Sequence, residues 1–419
     1  MRSFVWAAMM MLGACQTTVS DKEVRPPNIV LIISDDQAWG DFGFMGHPQI
    51  RTPNLDRLAK RSAVFPRGYV PSSLCRPSLA TMITGLYPHQ HGITGNDPPK
   101  GVRRDRMLKH IAAVSTLPEM LAARGYRSLQ TGKWWEGNCR CADFTDGMTH
   151  GDTARGGRHG DDGLKIGRKT MQPIFDFVRD CDEQPFFLWY APFLPHMPHN
   201  PPERLLAHYL DAGSSLHLAR YYAMCEWFDE TCGQLLDHLD ERGLADDTVI
   251  LFAVDNGWIQ RTDRRGYAPR SKRSPYDGGV RTPVMVSWPG HIDPGERSQL
   301  VSTIDLVPTA LRASGASIPD ELPGHDLIAS MEGESRDRLA VFGEIFSHDV
   351  VDVDVPSRSL LFRWMVSGRW KLIVPTDERA AIELFDIVAD PDELHSLVES
   401  QPTRVASLRR QLDLWWTPK

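Results

Sequence analysis

The alternation of short apolar runs with amphipathic segments is the feature that most constrains the fold. The run PNIVLIISDD is continuously apolar and ends in Asp35 and Asp36, a pattern typical of a buried strand in a parallel sheet. A helix is predicted to begin at Thr52 and Pro53. Further strands are predicted at 126–131, 186–190, 248–254 and 284–287, and further helices at 118–124, 216–241 and 302–313. These elements predict an α/β domain with a large, mostly parallel central sheet flanked by helices.

The pattern changes after about residue 336. Short strand-like runs, FRWMVSGRWKLIV and IELFDI, are followed by an Asp-Pro turn and a terminal helical segment. We therefore predict a large domain over residues 27–335 and a small C-terminal α+β subdomain over residues 336–419.

The N-terminus, MRSFVWAAMMMLGACQ, has the pattern of an export signal. Its apolar run is too short to span a bilayer and is followed by small residues. Leu-Gly-Ala-Cys resembles the lipobox of bacterial lipoproteins. That resemblance implies a signal peptide over residues 1–14, lipidation of Cys15, a tether over residues 15–26 and a periplasmic or cell-surface location, with the outer membrane favoured by Gln16. A plain secretory signal cut nearby is the alternative.

The composition restricts the partners. With a net charge of −7, the chain has no bulk attraction to nucleic acid or to an anionic membrane surface. Nucleic acid is therefore not expected as a partner, and the membrane would be contacted through the lipid anchor only. A polyanionic ligand would need a local basic site.

The stretch SSLCRPSLATMITGLYPHQHG places Cys75 at the start of a predicted helix that ends near Gly85. A helix N-terminus favours an anion, so Cys75 is predicted to be a thiolate or to handle an anionic substrate, with a small buried hydrophobe as the alternative. Five further cysteines follow, at positions 139, 141, 181, 225 and 232. An odd number predicts no complete disulfide framework, and the pair at 139 and 141 lacks the companions of a zinc site.

Acidic residues follow two of the predicted strands. Asp35 and Asp36 end the first, and Asp255 and Asn256 follow the run TVILFAV. The carboxyl ends of parallel strands share one edge of a sheet, and carboxylate and amide oxygens suit Ca²⁺ or Mg²⁺. An Asp after a strand is often only a turn residue, but two acidic strand ends together predict a divalent metal site.

Several motifs in order resemble the type I sulfatases of the alkaline phosphatase superfamily, over roughly residues 27–419. They are NIVLIISDDQAWGDFGFMGHP, RTPNLDRLA, CRPS…TGLYPHQHG, TGKWWEG, PHMPH, FAVDNG, KRSPYDGGVRTPVMVSWPG and GRWKLI…ELFDIVADPDE. The resemblance implies an alkaline phosphatase-like fold, with residues 27–335 as the catalytic domain, and hydrolysis of sulfate esters. It also implies that a formylglycine-generating enzyme oxidises Cys75 to formylglycine, whose hydrated aldehyde is the nucleophile.

The resemblance also implies roles for individual residues. One Ca²⁺ would be held by an oxygen of modified Cys75 together with Asp35, Asp36, Asp255 and Asn256. Lys133 and Lys272 would bind the sulfate oxygens, and His196 would contact the leaving-group oxygen. The signature that directs modification would be filled by Arg76, Pro77 and Ser78. Solvated lysines and a loop histidine are the plainer alternatives, and Asp277 is predicted to be a turn residue.

Two positions depart from the family pattern. Leu79 stands where the pattern has arginine, and Trp135 stands where it has histidine, which favours a divergent subgroup. The polar segment DGMTHGDTARGGRHGDDG that follows, residues 146–163, is either a solvated loop or a source of replacement groups. In the second case His150 or His159 would transfer a proton, with His150 preferred because it is nearer to Lys133 in sequence. Arg155 or Arg158 would pair with a substrate anion, and Trp135 would form an apolar wall against a sugar.

Three functions remain open from the sequence. The first is a sulfatase acting on a sulfated carbohydrate. The second is a phospho- or phosphonate-ester hydrolase on the same scaffold. The third is a non-catalytic lipoprotein that binds sulfated glycan.

Overall fold

The computed structural model describes residues 25–155, 158–334 and 338–418. Cys15, the predicted signal peptide and residues 15–24 of the predicted tether lie outside this part of the chain. The strands are β1 Asn28–Ser34, β2 Ala63–Tyr69, β3 Arg127–Gly132, β4 Asp146–Gly147, β5 Phe186–Ala191, β6 Thr248–Val254, β7 Arg281–Ser287, β8 Gly295–Glu296, β9 Val301–Ser302, β10 Ala340–Phe346, β11 Leu360–Ser367, β12 Trp370–Pro375 and β13 Glu383–Asp386. The α-helices are α1 Pro53–Ala59, α2 Cys75–Thr84, α3 Pro88–His91, α4 Leu117–Ala122, α5 Gln172–Cys181, α6 Glu203–Asp211, α7 Leu216–Glu241, α8 Asp277–Val280, α9 Leu306–Ser314, α10 Leu327–Met331 and α11 Pro402–Trp415.

A large mixed sheet forms the centre of the molecule, in the order β4-β3-β5-β1-β6-β7-β2-β8, with β9 beside β2. β1 pairs in parallel with both β5 and β6, and β3 pairs in parallel with β5. β7 runs antiparallel to both of its neighbours, β6 and β2. The predicted α/β architecture with a mostly parallel sheet is confirmed.

Both faces of this sheet are buried. Along β1, Ile29, Leu31 and Ile33 pack into the core that includes α2, α4 and α9, while Val30 and Ile32 pack into the core that includes α1, α5 and α7. A strand that is apolar at every position packs against the hydrophobic core on each face of the sheet, which explains the uninterrupted apolar run in the sequence.

The C-terminal part forms a separate antiparallel sheet, β10-β11-β12-β13, against which α11 packs. Lys371 on β12 reaches out of this sheet, and its Nζ lies 2.7 Å from Asp277 Oδ1 and 2.9 Å from Glu393 Oε1. Asp277 is therefore more than the predicted turn residue, because it begins α8 as a buried ion-pair partner that ties the two sheets together.

The long helix α7 fixes two segments near the start of the chain. Its Asp229 accepts hydrogen bonds from the backbone N–H groups of Asn54 and Leu55, at 3.1 and 2.8 Å, and from the Asn54 side chain at 2.8 Å. Its Tyr221 donates to Asp41 Oδ2 at 2.6 Å. Burial raises the pKa of Asp41 to about 7.

Two further features are the state of the cysteines and the length and polarity of the helices. The six cysteines among the described residues are all free thiols. Within the same ranges, every helix is too short or too polar to cross a bilayer.

Candidate active site

The polar ends of β1 and β6 meet at the carboxyl edge of the large sheet. Pairing in register from Asn28 opposite Thr248 to Ser34 opposite Val254 brings the following residues side by side. Asp36 donates its backbone N–H to Asp255 Oδ1 at 2.9 Å. Asp36 has a φ of 62°, a left-handed conformation that is uncommon for a residue with a side chain and recurs at functional sites. The edge thus concentrates four buried polar residues, Asp35, Asp36, Asp255 and Asn256.

Cys75 faces this cluster from the first residue of α2. Lys272 Nζ donates to Cys75 Sγ at 3.2 Å and to the two oxygens of Asp36 at 2.5 and 2.7 Å. Burial raises the pKa of the Cys75 thiol to about 12, although the neighbouring lysines oppose that shift. The raised pKa favours a neutral thiol over the thiolate predicted from the helix N-terminus, because desolvation of the buried sulfur outweighs the charges of Lys133 and Lys272.

Lys133 enters the cluster from the end of β3. Its Nζ lies 2.5 Å from Asp35 Oδ1 and 3.4 Å from Asp255 Oδ2. Burial lowers the pKa of Lys133, but the combined charges of the acidic groups around it, Asp35 first among them, outweigh burial and raise that pKa well above its usual range. The preceding Gly132 has a φ of 75°, and a Cβ there would lie 1.9 Å from the carbonyl oxygen of Ala191. Only glycine at position 132 lets Lys133 approach this closely.

His196 completes the cluster from the loop after β5. Its Nε2 lies 3.4 Å from Asp36 Oδ2, and its Nδ1 is 2.6 Å from the carbonyl oxygen of Met197. Arg168 holds the loop by donating to the backbone carbonyls of Phe193 and His196 at 2.6 and 2.7 Å. Burial lowers the pKa of His196, and the neighbouring Asp36 carboxylate opposes that shift.

The donor set fits a divalent cation. Asp35 Oδ2 and Asn256 Oδ1 are buried without a hydrogen-bond partner, and three carboxylates face only two ammonium groups. Ligand atoms of Asp35, Asp36, Cys75 and His196 all lie within 4.8 Å of one another. Hard carboxylate and amide oxygens with unused lone pairs suit Ca²⁺.

The two histidines predicted as replacement groups, His150 and His159, lie in different surroundings. His159 stacks on Trp135 with ring centroids 5.2 Å apart, and its ring centroid is 6.4 Å from that of His196. His150 is half exposed, with Nε2 3.9 Å from Asp162. The described contacts therefore favour His159 over His150, because proximity in sequence to Lys133 did not become proximity in space.

The two arginines of that segment differ in the same way. Arg155 is exposed and pairs with Asp152 and Asp162. Arg158 lies over the Trp135 ring at 5.5 Å and pairs with Asp97. Trp135 itself is only 5% exposed, so its ring offers a sugar almost no surface as the predicted apolar wall.

Sequence reasoning missed the partner that holds the start of α2. Arg76 is buried, and its guanidinium donates to both oxygens of Glu136 at 2.6 and 2.7 Å. It also donates to the backbone carbonyls of Gly95 and Met107. Glu136 lies three residues after Lys133, so this ion pair joins the two segments that carry Cys75 and Lys133. Leu79 is buried in the apolar core of the same helix.

Comparison with known proteins agrees with this arrangement. Residues 27–316 match the sulfatase family, and residues 267–414 match the family described as N-sulphoglucosamine sulphohydrolase, C-terminal. N-acetylgalactosamine-6-sulfatase of Rattus norvegicus is 31% identical over 360 residues, which cover 75% of this chain and 67% of the relative. Arylsulfatase A of Homo sapiens is 31% identical over 365 residues, which cover 74% of this chain and 69% of the relative.

A solved structure shares the fold at lower sequence identity. The crystal structure of Ps i-CgsB in complex with k-i-k-neocarrahexaose superposes with a TM-score of 0.78 at 23% identity and covers 94% of each chain. The family match spans well over half of the sequence and includes every member of the buried cluster. The chain therefore belongs to the sulfatase family of sulfuric ester hydrolases.

Proposed function

We propose that the chain hydrolyses sulfate esters of a sulfated carbohydrate, with formylglycine formed from Cys75 as the nucleophile. The observation that carries this proposal is the position of Cys75 Sγ, 3.2 Å from Lys272 Nζ and 4.0 Å from Asp36 Oδ1 inside a buried charged cluster. Two similar proteins support a sugar substrate, since one is named for N-acetylgalactosamine and another was crystallised with neocarrahexaose.

The cofactor follows from the donor set. Asp35, Asp36, Asp255 and Asn256 would hold one Ca²⁺ together with an oxygen of the modified Cys75. When bound, Ca²⁺ supplies a Lewis acid that stabilises negative charge on oxygen, and formylglycine supplies a hydrated aldehyde where the buried thiol is a poor nucleophile.

The other residues act on the substrate. The ammonium groups of Lys133 and Lys272 stabilise the charge on the non-bridging sulfate oxygens, and burial strengthens this effect because water does not screen it. His196 or Lys272 protonates the departing sugar oxygen, and the Arg168 hydrogen bonds keep the His196 loop in place. Each group is fixed before the substrate arrives, so little reorganisation is needed.

The charge of the cluster favours a sulfate over a phosphate ester. With one divalent cation, three carboxylates and two ammonium groups, the cluster carries a single positive charge. A sulfate monoester is a monoanion and is matched by that charge, whereas a phosphate monoester dianion is not. This supports sulfate hydrolysis over hydrolysis of a phosphate monoester, whereas a phosphonate monoester is also a monoanion and is distinguished from a sulfate ester by assay.

The proposal also includes a place in the cell. The lipobox-like segment at Cys15 supports export, lipidation and a periplasmic or cell-surface location, where extracellular glycans are accessible. Radiolabelled palmitate incorporated by the wild type and lost in Cys15→Ala would support the anchor. Equal labelling of both would contradict it.

Ester selectivity tests the function. The enzyme, co-expressed with a formylglycine-generating enzyme, is assayed with 4-nitrophenyl sulfate and 4-nitrophenyl phosphate, and with sulfated oligosaccharides. We expect kcat/KM for the sulfate to exceed that for the phosphate by about a hundredfold or more, the scale of a correctly matched charge. A preference for the phosphate would overturn the assignment.

Metal dependence is tested by Asp255→Ala. We expect loss of bound calcium and of turnover, because Asp255 contributes a carboxylate to the cluster and also holds the backbone of Asp36. Asp237→Ala, which removes an exposed carboxylate on α7, is the matched control. Full calcium content and wild-type turnover in Asp255→Ala would show that the metal lies elsewhere.

A further inference from the structure

A second cleft opens beside His196, on the side away from Trp135. Its volume is about 460 Å³, and it is lined by His196, Met197, Pro198, His199, His217, Arg220, Gln260, Arg265 and Gly266. His196 lines the cleft and also contacts the charged cluster, since its Nε2 lies 3.4 Å from Asp36 Oδ2. The cleft therefore lies next to the residue proposed to contact the leaving group.

The side chains that line the cleft carry a net positive charge. Within the described part of the chain, Arg220 and Arg265 have no ion-pair or hydrogen-bond partner, and no carboxylate lines the cleft. His199 Nε2 is buried and also has no hydrogen-bond partner. Burial lowers the pKa of His199 to about 4, the charge of Asp36 opposes that shift, and the charges of Arg168, Arg265 and Arg220 add to it.

Another cleft, whose lining includes Trp135, Arg103, Arg104, Asp105 and Arg158, differs in its charge balance. Its arginines are already paired, since Arg103 bonds to Asp105 and both Arg104 and Arg158 bond to Asp97. An arginine that already has a carboxylate partner gains less from a second anion than an unpaired one. The unpaired cations therefore mark the cleft beside His196 as the one that attracts an anion.

Hydrogen bonds hold the backbone segments that carry the two arginines. Arg220 lies in the second turn of α7, and Arg265 lies at the tip of a hairpin closed by the Arg261 N–H donating to Gly266 O at 3.1 Å. The Gln260 side chain braces this hairpin by donating to Arg264 O at 3.1 Å. Ser215 Oγ, at the N-cap of α7, donates to Thr262 O at 2.8 Å and so ties the hairpin to the helix.

We propose that this cleft binds a second anionic group, a sulfate or a carboxylate, on the same sugar chain as the hydrolysed sulfate ester. The inference rests on the proposed function and narrows the substrate to polyanionic oligosaccharides. Arg220 and Arg265 form charge-assisted hydrogen bonds to that group, as arginine forks do with planar or tetrahedral oxyanions. The apolar side chains of Met197 and Pro198 line the intervening wall.

Equilibrium binding to Cys75→Ala tests the cleft without turnover. The probes are three disaccharides, one with a single sulfate, one with two sulfates, and one with a sulfate and a uronate carboxylate. We expect the dianionic probes to bind about tenfold more tightly than the monosulfated probe, because a charge-assisted hydrogen bond contributes on that scale. Preference for only one dianionic probe identifies the second group as sulfate or as carboxylate.

Substitution locates the effect. Arg220→Ala and Arg265→Ala, each in the Cys75→Ala background, should reduce the preference to about twofold or less, and Arg264→Ala should keep it. Arg264 neighbours Arg265, is exposed and lies outside the cleft lining. If Arg220→Ala does not fold, Arg265→Ala, which replaces an exposed residue, tests the role of the cleft on its own.

Two results would overturn the inference, namely no preference in the parent protein or a preference that survives loss of the cleft arginines. The proposed function is judged separately by sulfate release from the wild type. Failure of sulfate release with a retained binding preference would overturn the function and leave the anion cleft in place.

Discussion

Removing the carboxylate of Glu136 should destabilise the protein strongly. Arg76 and Glu136 are 1% and 3% exposed, and two short hydrogen bonds join them. Glu136→Ala leaves a buried guanidinium without its counter-charge, at a cost of about 3–5 kcal/mol. For a chain of this length the unfolding entropy converts that loss into a fall in melting temperature of about 4–6 °C.

Thermal unfolding followed by circular dichroism measures the effect. Asp105→Ala is the matched control, since it removes the carboxylate of an exposed arginine pair, Arg103–Asp105, and should shift the melting temperature by about 1 °C at most. The double variant Arg76→Leu/Glu136→Leu should recover most of the lost melting temperature, because it removes both buried charges. Equal shifts in Glu136→Ala and Asp105→Ala would refute the reasoning.

Three further outcomes follow from buried polar groups. Asp229→Ala leaves three N–H donors at the start of α1 without an acceptor and should lower the unfolding free energy by about 3 kcal/mol or more in denaturant titration; a loss below about 1 kcal/mol would contradict this. His159→Ala should lower kcat at least about tenfold and His150→Ala by less than about twofold; full turnover in both variants would contradict the hypothesis that residues 146–163 supply a replacement for the histidine absent at position 135. The raised pKa of Asp41 means that stability is lost as pH rises from about 4 through about 7, because the unfolded chain releases the Asp41 proton in this range while the buried carboxyl keeps it. Asp41→Asn should therefore lose less melting temperature than the wild type between pH 5 and 8, and parallel profiles would refute this.

The elements that the sequence predicts well are those in which a single requirement, burial of apolar side chains, determines the residue pattern. β1 and β6 are buried on both faces, so their apolar runs had no competing interpretation, and the strand predicted at 248–254 coincides with β6. α7 also begins and ends as predicted at 216 and 241. In each case burial alone determines the residue pattern.

Two features of the large sheet were not predicted, namely the partly exposed strand β2 and the direction of β7. No strand was predicted over the run that forms β2, because Pro66 interrupts a strand pattern and the segment mixes buried with partly exposed positions. The antiparallel direction of β7 was not predictable, since apolar periodicity does not encode strand direction. Pairing partners decide that direction.

The same distinction holds for the site. Strand ends and the helix start located the buried polar cluster, because each is a local feature of the sequence. The Arg76–Glu136 pair and the position of His159 depend on segments that meet only in the folded chain. Glu136 carried one local signal, a carboxylate three residues after Lys133, but nothing in the sequence named its partner.

The mass of the peptide that contains Cys75, from protein purified from its native host, tests the central claim most directly. We expect an aldehyde in place of the thiol, confirmed by reaction with a hydrazide probe and absent from Cys75→Ala, together with sulfate release that Cys75→Ala lacks. An intact thiol at Cys75 in a preparation with full sulfatase activity would contradict the proposed nucleophile.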